Sequence, residues 1–367
     1  MIGASMSSPS IVIAGRVISP DHPPYVIAEL SGNHNGEIER ALAIMEAAKE
    51  AGADAIKLQT YTPDTMTIPC DRPEFKVEGG LWDGYTLHDL YKWAHTPWDW
   101  FDALFAKGRE LGITVFSTPF DESSVDFLEA FDPPAYKIAS FENVDLELIA
   151  QVASKGKPVL ISTGMAAEDE IAEAVKTAHA GGCRELALLH CVSAYPAAAE
   201  DSNLRAIPGL VRSFDVVAGL SDHTLGTSVA IAGVAAGAAI IEKHFTLRRD
   251  DGGPDAAFSM QPDEMRELVT GCATAFKALG QAVGGRKESE AASLVFRRSL
   301  FVVNDMAEGE EFSRENLRVI RPGQGLRPKH LPGVLGKKAA RALSRGEPLD
   351  WACVAGDDGQ GGERNPS

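Results

Sequence analysis

Four residues carry side chains that could serve one reaction. His223 and His244 each follow an apolar run, in the segments GLSDHT and EKHFT. Lys57 and Lys137 lie within apolar runs of their own, AIKLQT and AYKIAS. Two neutral imidazoles, completed by waters and a substrate oxygen, suit a divalent transition ion, whereas a lone histidine is more often a structural or acid–base group. A buried ammonium is costly without an anion, so an anion beside a candidate metal site is indicated.

The anion beside the two lysines could come from a ligand or from the protein itself. A bound carboxylate or phosphate is the favoured interpretation, because lysines from separate segments converge on one face. Nearby hydroxyl groups would complete such a site: Thr118, Ser140, Ser162 and Ser221. The alternative is internal ion pairing with one of three carboxylates: Glu29, Glu142 and Glu242.

Glu242 has several possible roles. It lies two residues before His244, and therefore on the same face of a strand. There it could orient the imidazole or act as a base. It could equally pair with Lys57 or Lys243.

A barrel of parallel strands would bring these residues together. From residue 26 to about 280, a short β-rich run, a few polar residues and a helical stretch repeat eight times. The strand runs are 26–30, 55–60, 114–119, 135–140, 158–163, 186–192, 216–221 and 239–245, and helical stretches include 36–51, 96–111, 167–180 and 261–279. Eight alternating units over about 250 residues predict an α/β fold, a closed (β/α)8 TIM barrel. An open doubly wound sheet is the alternative, but it often has a Gly-rich fingerprint where this chain has SGNHNG.

The strand ends of such a barrel are where an active site forms. Each of the eight ends here carries polar residues: Glu29; Lys57 and Gln59; Ser117 and Thr118; Lys137, Ser140 and Glu142; Ser162 and Thr163; Ser193 and Tyr195; Ser221 and His223; Glu242 and His244. A single polar residue at a strand end is more often a satisfied structural group. Because all eight ends share the feature, we predict an active site there.

Two regions fall outside the repeating pattern. Residues 61–95 are too long for an ordinary βα loop, and they either cover the active site or form a packed surface excursion. After residue 280 the composition changes, which predicts an N-terminal extension and barrel at 1–284, a linker at 285–298, a small β-rich domain at 299–356 and a disordered tail at 357–367. Arg321, in the turn RPGQG, is a candidate substrate contact, although the arginines of this domain could also form a basic docking face.

Composition and charge exclude several classes of protein. The chain has 367 residues with 35 Lys and Arg against 52 Asp and Glu, a net charge of -17, which disfavours nucleic acid and anionic membranes as partners. The five cysteines stand singly, without the spacing of a disulfide framework or a zinc ribbon. The first residues lack the features of a signal peptide, and no apolar run approaches the length of about 18 residues that a membrane span requires. A cytoplasmic protein is expected.

Nine segments in order resemble the sialic acid synthase family. They are IAELSGNHNG, KLQTYTPDTMTI, STPFD, AYKIAS, LISTGM, HCVSAYP, GLSDHT, EKHFT and GGPDAAFS. The C-terminal domain with RPGQG resembles the antifreeze-like SAF module of the same family, so the match covers about residues 10–355. KLQTYTPDTMTI together with GLWDGYTLHDLYKWAHTPW is most similar to the pseudaminic acid synthase branch, and Ser193 stands where bacterial N-acetylneuraminate synthases have Asn.

The resemblance implies an activity. Phosphoenolpyruvate and 2,4-diacetamido-2,4,6-trideoxy-L-altrose, an amino-sugar aldehyde, would condense to pseudaminic acid and phosphate, with Mn2+ or Mg2+ required. A sister specificity, for legionaminic or N-acetylneuraminic acid, is the alternative. The resemblance also implies a domain-swapped homodimer in which Arg321 reaches the barrel of the partner.

The resemblance also assigns residues. His223 and His244 would be the metal ligands. Phosphoenolpyruvate would be held by Lys57, Thr118, Lys137, Ser140, Ser162 and Ser221. Gln59, Ser193, Tyr195, Glu242, Asp255 and Arg321 complete the expected substrate contacts. Glu29 and Glu142 match acidic positions of the family's site, and either could be the general base.

Two rival functions remain open. Lys137 could form a Schiff base, as in an aldolase that uses pyruvate. The SAF module could instead indicate a binding or structural protein with the barrel as a scaffold. Polar groups at all eight strand ends make a mere scaffold the weaker alternative.

Overall fold

The chain forms two compact units, Met1–Gly280 and Gln281–Ser367. The computed structural model describes residues 8–280 and 284–356. The linker predicted at 285–298 contains a 3₁₀ helix, Glu288–Phe296. The disordered tail predicted at 357–367 lies outside the described residues.

The first unit is a closed barrel of eight parallel strands, preceded by a short hairpin of β1 (Ile11–Ile13) and β2 (Arg16–Ile18). The barrel strands are β3 (Tyr25–Glu29), β4 (Ala55–Thr60), β5 (Thr114–Pro119), β6 (Tyr136–Ile138), β7 (Val159–Ser162), β8 (Leu186–Cys191), β9 (Val217–Ser221) and β10 (Ile240–His244). Parallel pairing of β10 with β3 closes the ring. This confirms the predicted (β/α)8 barrel, and the open doubly wound alternative is wrong.

Helices alternate with the strands and, apart from the two helices of the 61–95 insertion, they cover the outside of the barrel. In chain order they are α1 (Ile38–Ala51), α2 (Pro63–Met66), α3 (Leu87–Ala94), α4 (Phe101–Leu111), α5 (Glu122–Glu129), α6 (Leu146–Ser154), α7 (Glu168–Ala180), α8 (Ala206–Phe214), α9 (Ser228–Ala235) and α10 (Pro262–Leu279). Their apolar faces and the outward side chains of the strands form the largest buried cluster of the molecule. Within the described residues, no helix combines the length and the apolar character needed to cross a bilayer.

The N-terminal hairpin closes the end of the barrel at which the strands begin. Ile11, Ile13 and Ile18 are buried in one cluster with side chains at the first positions of barrel strands, such as Tyr25 and Ala55. Burial of three isoleucines against the strand starts contributes hydrophobic stabilisation and seals that end. The strand ends that carry the predicted site residues lie at the opposite, C-terminal end of the barrel.

The second unit is small and rich in β-structure, as the sequence predicts. β11 (Ser299–Val302) pairs antiparallel with β12 (Leu317–Ile320). Isolated bridges such as Met306 to Leu343 extend the pairing, and one short helix, α11 (Leu331–Val334), follows a 3₁₀ turn. Twelve buried residues, including Leu300, form a core of its own.

A buried ion pair ties the last two barrel strands together. Lys243 Nζ donates to Asp222 Oδ2 at 2.9 Å and to the carbonyl oxygens of Thr224 at 2.5 Å and Gly226 at 3.0 Å. The two charged side chains are only 1% and 2% exposed. Because Asp222 and Lys243 flank the two histidines in sequence, the pair fixes the segments that carry them.

Removal of one member of this pair should destabilise the barrel. Lys243→Met leaves the Asp222 carboxylate buried without its partner, and we expect the free energy of unfolding to fall by about 3–5 kcal/mol in urea denaturation. The control is Arg266→Ala, which removes an exposed pair with Asp263 and should cost less than about 1 kcal/mol. A loss for Lys243→Met as small as that of the control would contradict the expectation.

Candidate active site

The register of the strands brings the predicted polar residues together at the C-terminal end of the barrel, which we call the mouth. Glu29 on β3 lies beside Lys57 on β4 and beside His244 on β10. Since side chains alternate along a strand, Glu242 and His244 share one face of β10. Residues that are distant in sequence thus meet at the open end of the barrel.

Lys57 is neutralised by carboxylates of the protein. Its Nζ lies 2.9 Å from Glu29 Oε2 and 3.5 Å from Glu242 Oε1, and it donates to Thr118 Oγ1 at 3.1 Å. Gln59 Nε2 donates to the other oxygen of Glu29 at 2.9 Å. Burial alone would lower the pKa of Lys57, but attraction by Glu242 and Glu29 raises it. For Lys57, the favoured interpretation of an anion supplied by a ligand is therefore wrong, and the alternative of an internal ion pair is correct.

Lys137 is buried without a carboxylate partner. Its Nζ donates to Ser162 Oγ at 2.6 Å and to the carbonyl oxygen of Ile138 at 3.0 Å, and the residue is 1% exposed. Among residues 8–280 and 284–356, no carboxylate oxygen lies within 4 Å of this ammonium. Burial lowers its pKa. Among the described residues, Lys137 is thus a buried cation without an ion-pair partner, and an anionic ligand could supply one.

Hydroxyl groups stand around the two lysines. Ser140 Oγ and Ser193 Oγ are 2.8 Å apart, and Ser221 Oγ donates to Glu242 Oε1 at 3.1 Å. Ser140 and Ser221 are buried, as are the partners of the lysines, Thr118 and Ser162. The predicted serines and threonine therefore do line the mouth of the barrel.

The two histidines present their Nε2 atoms. His223 Nδ1 lies 2.8 Å from the carbonyl oxygen of Val192, so this nitrogen carries the proton and donates. His244 Nδ1 lies 3.2 Å from Ser31 Oγ, and the centroids of the two imidazoles are 5.4 Å apart. Burial lowers the pKa of both rings, which keeps them neutral.

This arrangement fits a divalent metal in part. A hydrogen bond at Nδ1 that leaves Nε2 free is the usual preparation of a histidine ligand. In the described part of the chain, no group of three or more His, Cys, Asp or Glu side chains is arranged for a metal. Two imidazoles can serve an ion whose other ligands are water and substrate, as in open catalytic sites.

Two further acids lie at the same mouth. Glu142 Oε2 is buried without a hydrogen-bond partner, and burial raises the pKa of Glu142 to about 7. Asp255 Oδ2 accepts from the backbone N–H of Gly32 at 3.4 Å, and burial raises its pKa also. A carboxyl group with a pKa near neutrality can exchange a proton under ordinary conditions.

Aromatic rings border the histidines. The Tyr195 ring centroid lies 4.4 Å from that of His223 and 5.2 Å from that of Phe258. Phe258 in turn lies 4.8 Å from His244. Tyr195, which the sequence predicts near the substrate, is thus adjacent to both candidate metal ligands.

Trp82 connects the insertion at 61–95 with the mouth. Trp82 Nε1 donates to the carbonyl oxygen of Pro254 at 2.7 Å, and its ring lies 5.7 Å from the Tyr195 ring. This contact favours the interpretation of the insertion as a cover over that of a surface excursion.

Sequence reasoning missed some residues of the site and left one unplaced. Asn143 Nδ2 donates to the carbonyl oxygens of Ser162 at 3.1 Å and Thr163 at 2.7 Å, which holds two neighbouring strand ends together. Ser31 supports His244, and its position in SGNHNG directly after a strand was the available signal. Arg321 lies one residue after β12, in the second unit, and its substrate contact stays a prediction.

Known proteins share both units. Residues 44–284 match the model of the NeuB family, and residues 297–355 match that of the SAF domain. Pseudaminic acid synthase of Campylobacter jejuni subsp. jejuni serotype O:23/36 is 43% identical over 90% of this chain and 96% of its own length. The enzyme of that name from Helicobacter pylori is 40% identical over 89% and 96%.

A solved structure shows the same fold. N-acetylneuraminic acid synthetase from Leptospira borgpetersenii serovar Hardjo-bovis, in complex with citrate, superimposes with a TM-score of 0.70. It is 32% identical, and the match covers 78% of this chain and 95% of that one. The chain therefore belongs to the NeuB family and carries a SAF domain.

Proposed function

We propose that the protein is a pseudaminic acid synthase. It condenses phosphoenolpyruvate and water with 2,4-diacetamido-2,4,6-trideoxy-L-altrose, and releases phosphate. The names and coverage of the relatives from Campylobacter jejuni and Helicobacter pylori support the sugar specificity. The single observation that carries the reaction class is Lys137, a buried ammonium without a carboxylate partner among the described residues, at the same mouth as two neutral histidines.

In this proposal, phosphoenolpyruvate binds at the bottom of the mouth, beside Lys137. Lys137 provides the charge that its phosphate or carboxylate group requires. The remaining contacts are Lys57, Thr118, Ser140, Ser162 and Ser221. Because these groups are held by strands, they are oriented before the substrate arrives.

The reaction then forms a carbon–carbon bond and a bond from C2 to the oxygen of water, and it breaks the bond from C2 to the phosphate oxygen. The C3 methylene of phosphoenolpyruvate attacks the aldehyde carbon of the open-chain sugar, and the aldehyde oxygen takes up a proton. Water adds to C2, and its proton passes to Glu142 or Glu29 as general base. Phosphate leaves with the bridging oxygen and takes up the second proton of the water, and a keto group remains at C2. Lys137 stabilises the charge on the leaving phosphate, whereas the charge of Lys57 is already paired with Glu29 and Glu242.

The two histidines hold Mn2+ or Mg2+ through Nε2 in this proposal. When bound, the ion supplies Lewis-acid polarisation of the sugar aldehyde. Val192 and Ser31 fix the ring orientations, because each occupies the Nδ1 atom of one imidazole. Gln59, Ser193, Tyr195, Glu242 and Asp255 contact the substrates.

Assembly and location are parts of the same proposal. The protein is a domain-swapped homodimer in which Arg321 contacts the sugar bound to the other subunit. It works in the cytoplasm, where phosphoenolpyruvate is available.

One observation favours a second candidate. Burial lowers the pKa of Lys137, and a lysine that loses its proton can form an imine with a ketone. An aldolase that uses pyruvate is therefore the alternative reaction class.

Phosphate release tests the proposed reaction directly. Chelator-treated protein should be inactive, and Mn2+ or Mg2+ should restore phosphate release from phosphoenolpyruvate with the altrose derivative. The legionaminic acid precursor and N-acetylmannosamine should give no release. Release with either of them instead would assign a sister specificity, and no release with any sugar would contradict the synthase.

The raised pKa of Glu142 predicts an acidic limb in the pH profile. Below about pH 7 the carboxyl group is protonated and cannot accept a proton, so kcat/KM should fall as the pH drops through 7. Glu142→Gln should lower kcat by about 100- to 10,000-fold and remove that limb. The exposed Glu147, on α6, gives the matched control Glu147→Gln, which should keep both. An acidic limb that persists in Glu142→Gln would assign the base to Glu29.

Borohydride trapping separates the synthase from the aldolase. With pyruvate and borohydride we expect no covalent adduct, because the synthase forms no imine. The measurement is the intact mass of the protein. An adduct that forms in the wild type and is absent in Lys137→Met would establish the aldolase.

A further inference from the structure

The mouth of the barrel is charged at depth and aromatic near its opening. Lys137 and Glu29 are each 1% exposed, whereas Tyr195 and Trp82 are partly exposed. An anionic substrate that binds Lys137 therefore lies deep. The second substrate must lie farther out, beside the aromatic rings. This inference rests on the function proposed above.

Three rings form an aromatic wall: Trp82 and Tyr195, which are partly exposed, and Phe258, which is buried against His244. Tyr195 lies between the other two, 5.7 Å from Trp82 and 5.2 Å from Phe258 between centroids. Tyr195 and Phe258 also contact the histidines, so the wall is continuous with the place of reaction. A surface of this kind favours the carbon-rich edge of a ligand over its hydroxyl groups.

A hydrogen bond holds the indole ring of Trp82 in one orientation. Its Nε1 donates to the carbonyl oxygen of Pro254, which fixes the plane of the indole. The neighbouring aromatics of the insertion behave differently, since Tyr85 and Trp93 stack on each other at 5.6 Å and both are exposed. The hydrogen bond of Trp82 spans 172 residues and links the insertion to the loop that carries Asp255 and Phe258.

We propose that Trp82 determines sugar specificity by contact with the methyl-bearing edge of the sugar. A 6-deoxy sugar offers a methyl group where most sugars carry a hydroxymethyl group. Burial of that methyl against an indole is favourable, whereas a hydroxyl in the same place loses water without gaining a partner. The substrate class is an amino sugar deoxygenated at C6.

Two probes that differ by one hydroxyl test this role. They are 2,4-diacetamido-2,4,6-trideoxy-L-altrose and its 6-hydroxy counterpart, each assayed with phosphoenolpyruvate. For Trp82→Ala, the KM for the 6-deoxy sugar should rise about 10- to 100-fold and the preference for it over the 6-hydroxy sugar should fall about tenfold. The KM for phosphoenolpyruvate should change less than about twofold, because Lys137 and its partners are untouched.

Two more variants separate contact from folding. Trp82→Phe keeps an aromatic face and loses the bond to Pro254, so most of the preference should remain. Trp93→Ala removes an exposed tryptophan of the same insertion and should leave both KM values unchanged. The inference would be overturned if Trp82→Ala left the preference between the two sugars unchanged. It would also be overturned if KM rose equally for the 6-deoxy sugar and for phosphoenolpyruvate. Turnover of the 6-deoxy sugar by the wild type shows independently whether the proposed function holds.

Discussion

Two buried ammonium groups, Lys57 and Lys137, set the requirements for everything around them. A charge taken out of water must find an opposite charge or several hydrogen bonds. Lys57 has both, from Glu29, Glu242 and Thr118. Lys137 has only a hydroxyl and a carbonyl oxygen as hydrogen-bond partners among the described residues. The difference between the two lysines leaves one cation whose charge an incoming anion can neutralise.

The carboxylates at the mouth do not share one protonation state. Burial raises the pKa of Glu242, but Lys57 and Lys137 attract its charge more strongly and hold the pKa below its usual value. Burial raises the pKa of Glu29 in spite of Lys57. Glu142 forms no ion pair with either lysine among the described residues, and burial raises its pKa to about 7. Acids pushed in opposite directions by their surroundings can take different roles in one reaction.

The sequence was sufficient for what depends on local pattern. Apolar runs at regular spacing predict eight strands, and position along a strand places Lys137 or His244 at the mouth. Contacts between strands could not be predicted from the sequence. Whether Lys57 meets Glu29 depends on the register between two strands, and the spacing of apolar residues does not determine that register. The hairpin of β1 and β2 was missed because strands of three residues are too short to show a period. The bond from Trp82 to Pro254 had no sequence signal, since it joins two loops.

The N-terminal hairpin affects how ligands could enter and leave the barrel. Because Ile11, Ile13 and Ile18 bury one end of the barrel, we expect ligands to enter and leave at the mouth. In the proposed function an anion at Lys137 lies deeper than the sugar, so we expect the anion to bind before the sugar. A barrel that ligands reach from one end only would favour ordered binding of the substrates and ordered release of the products.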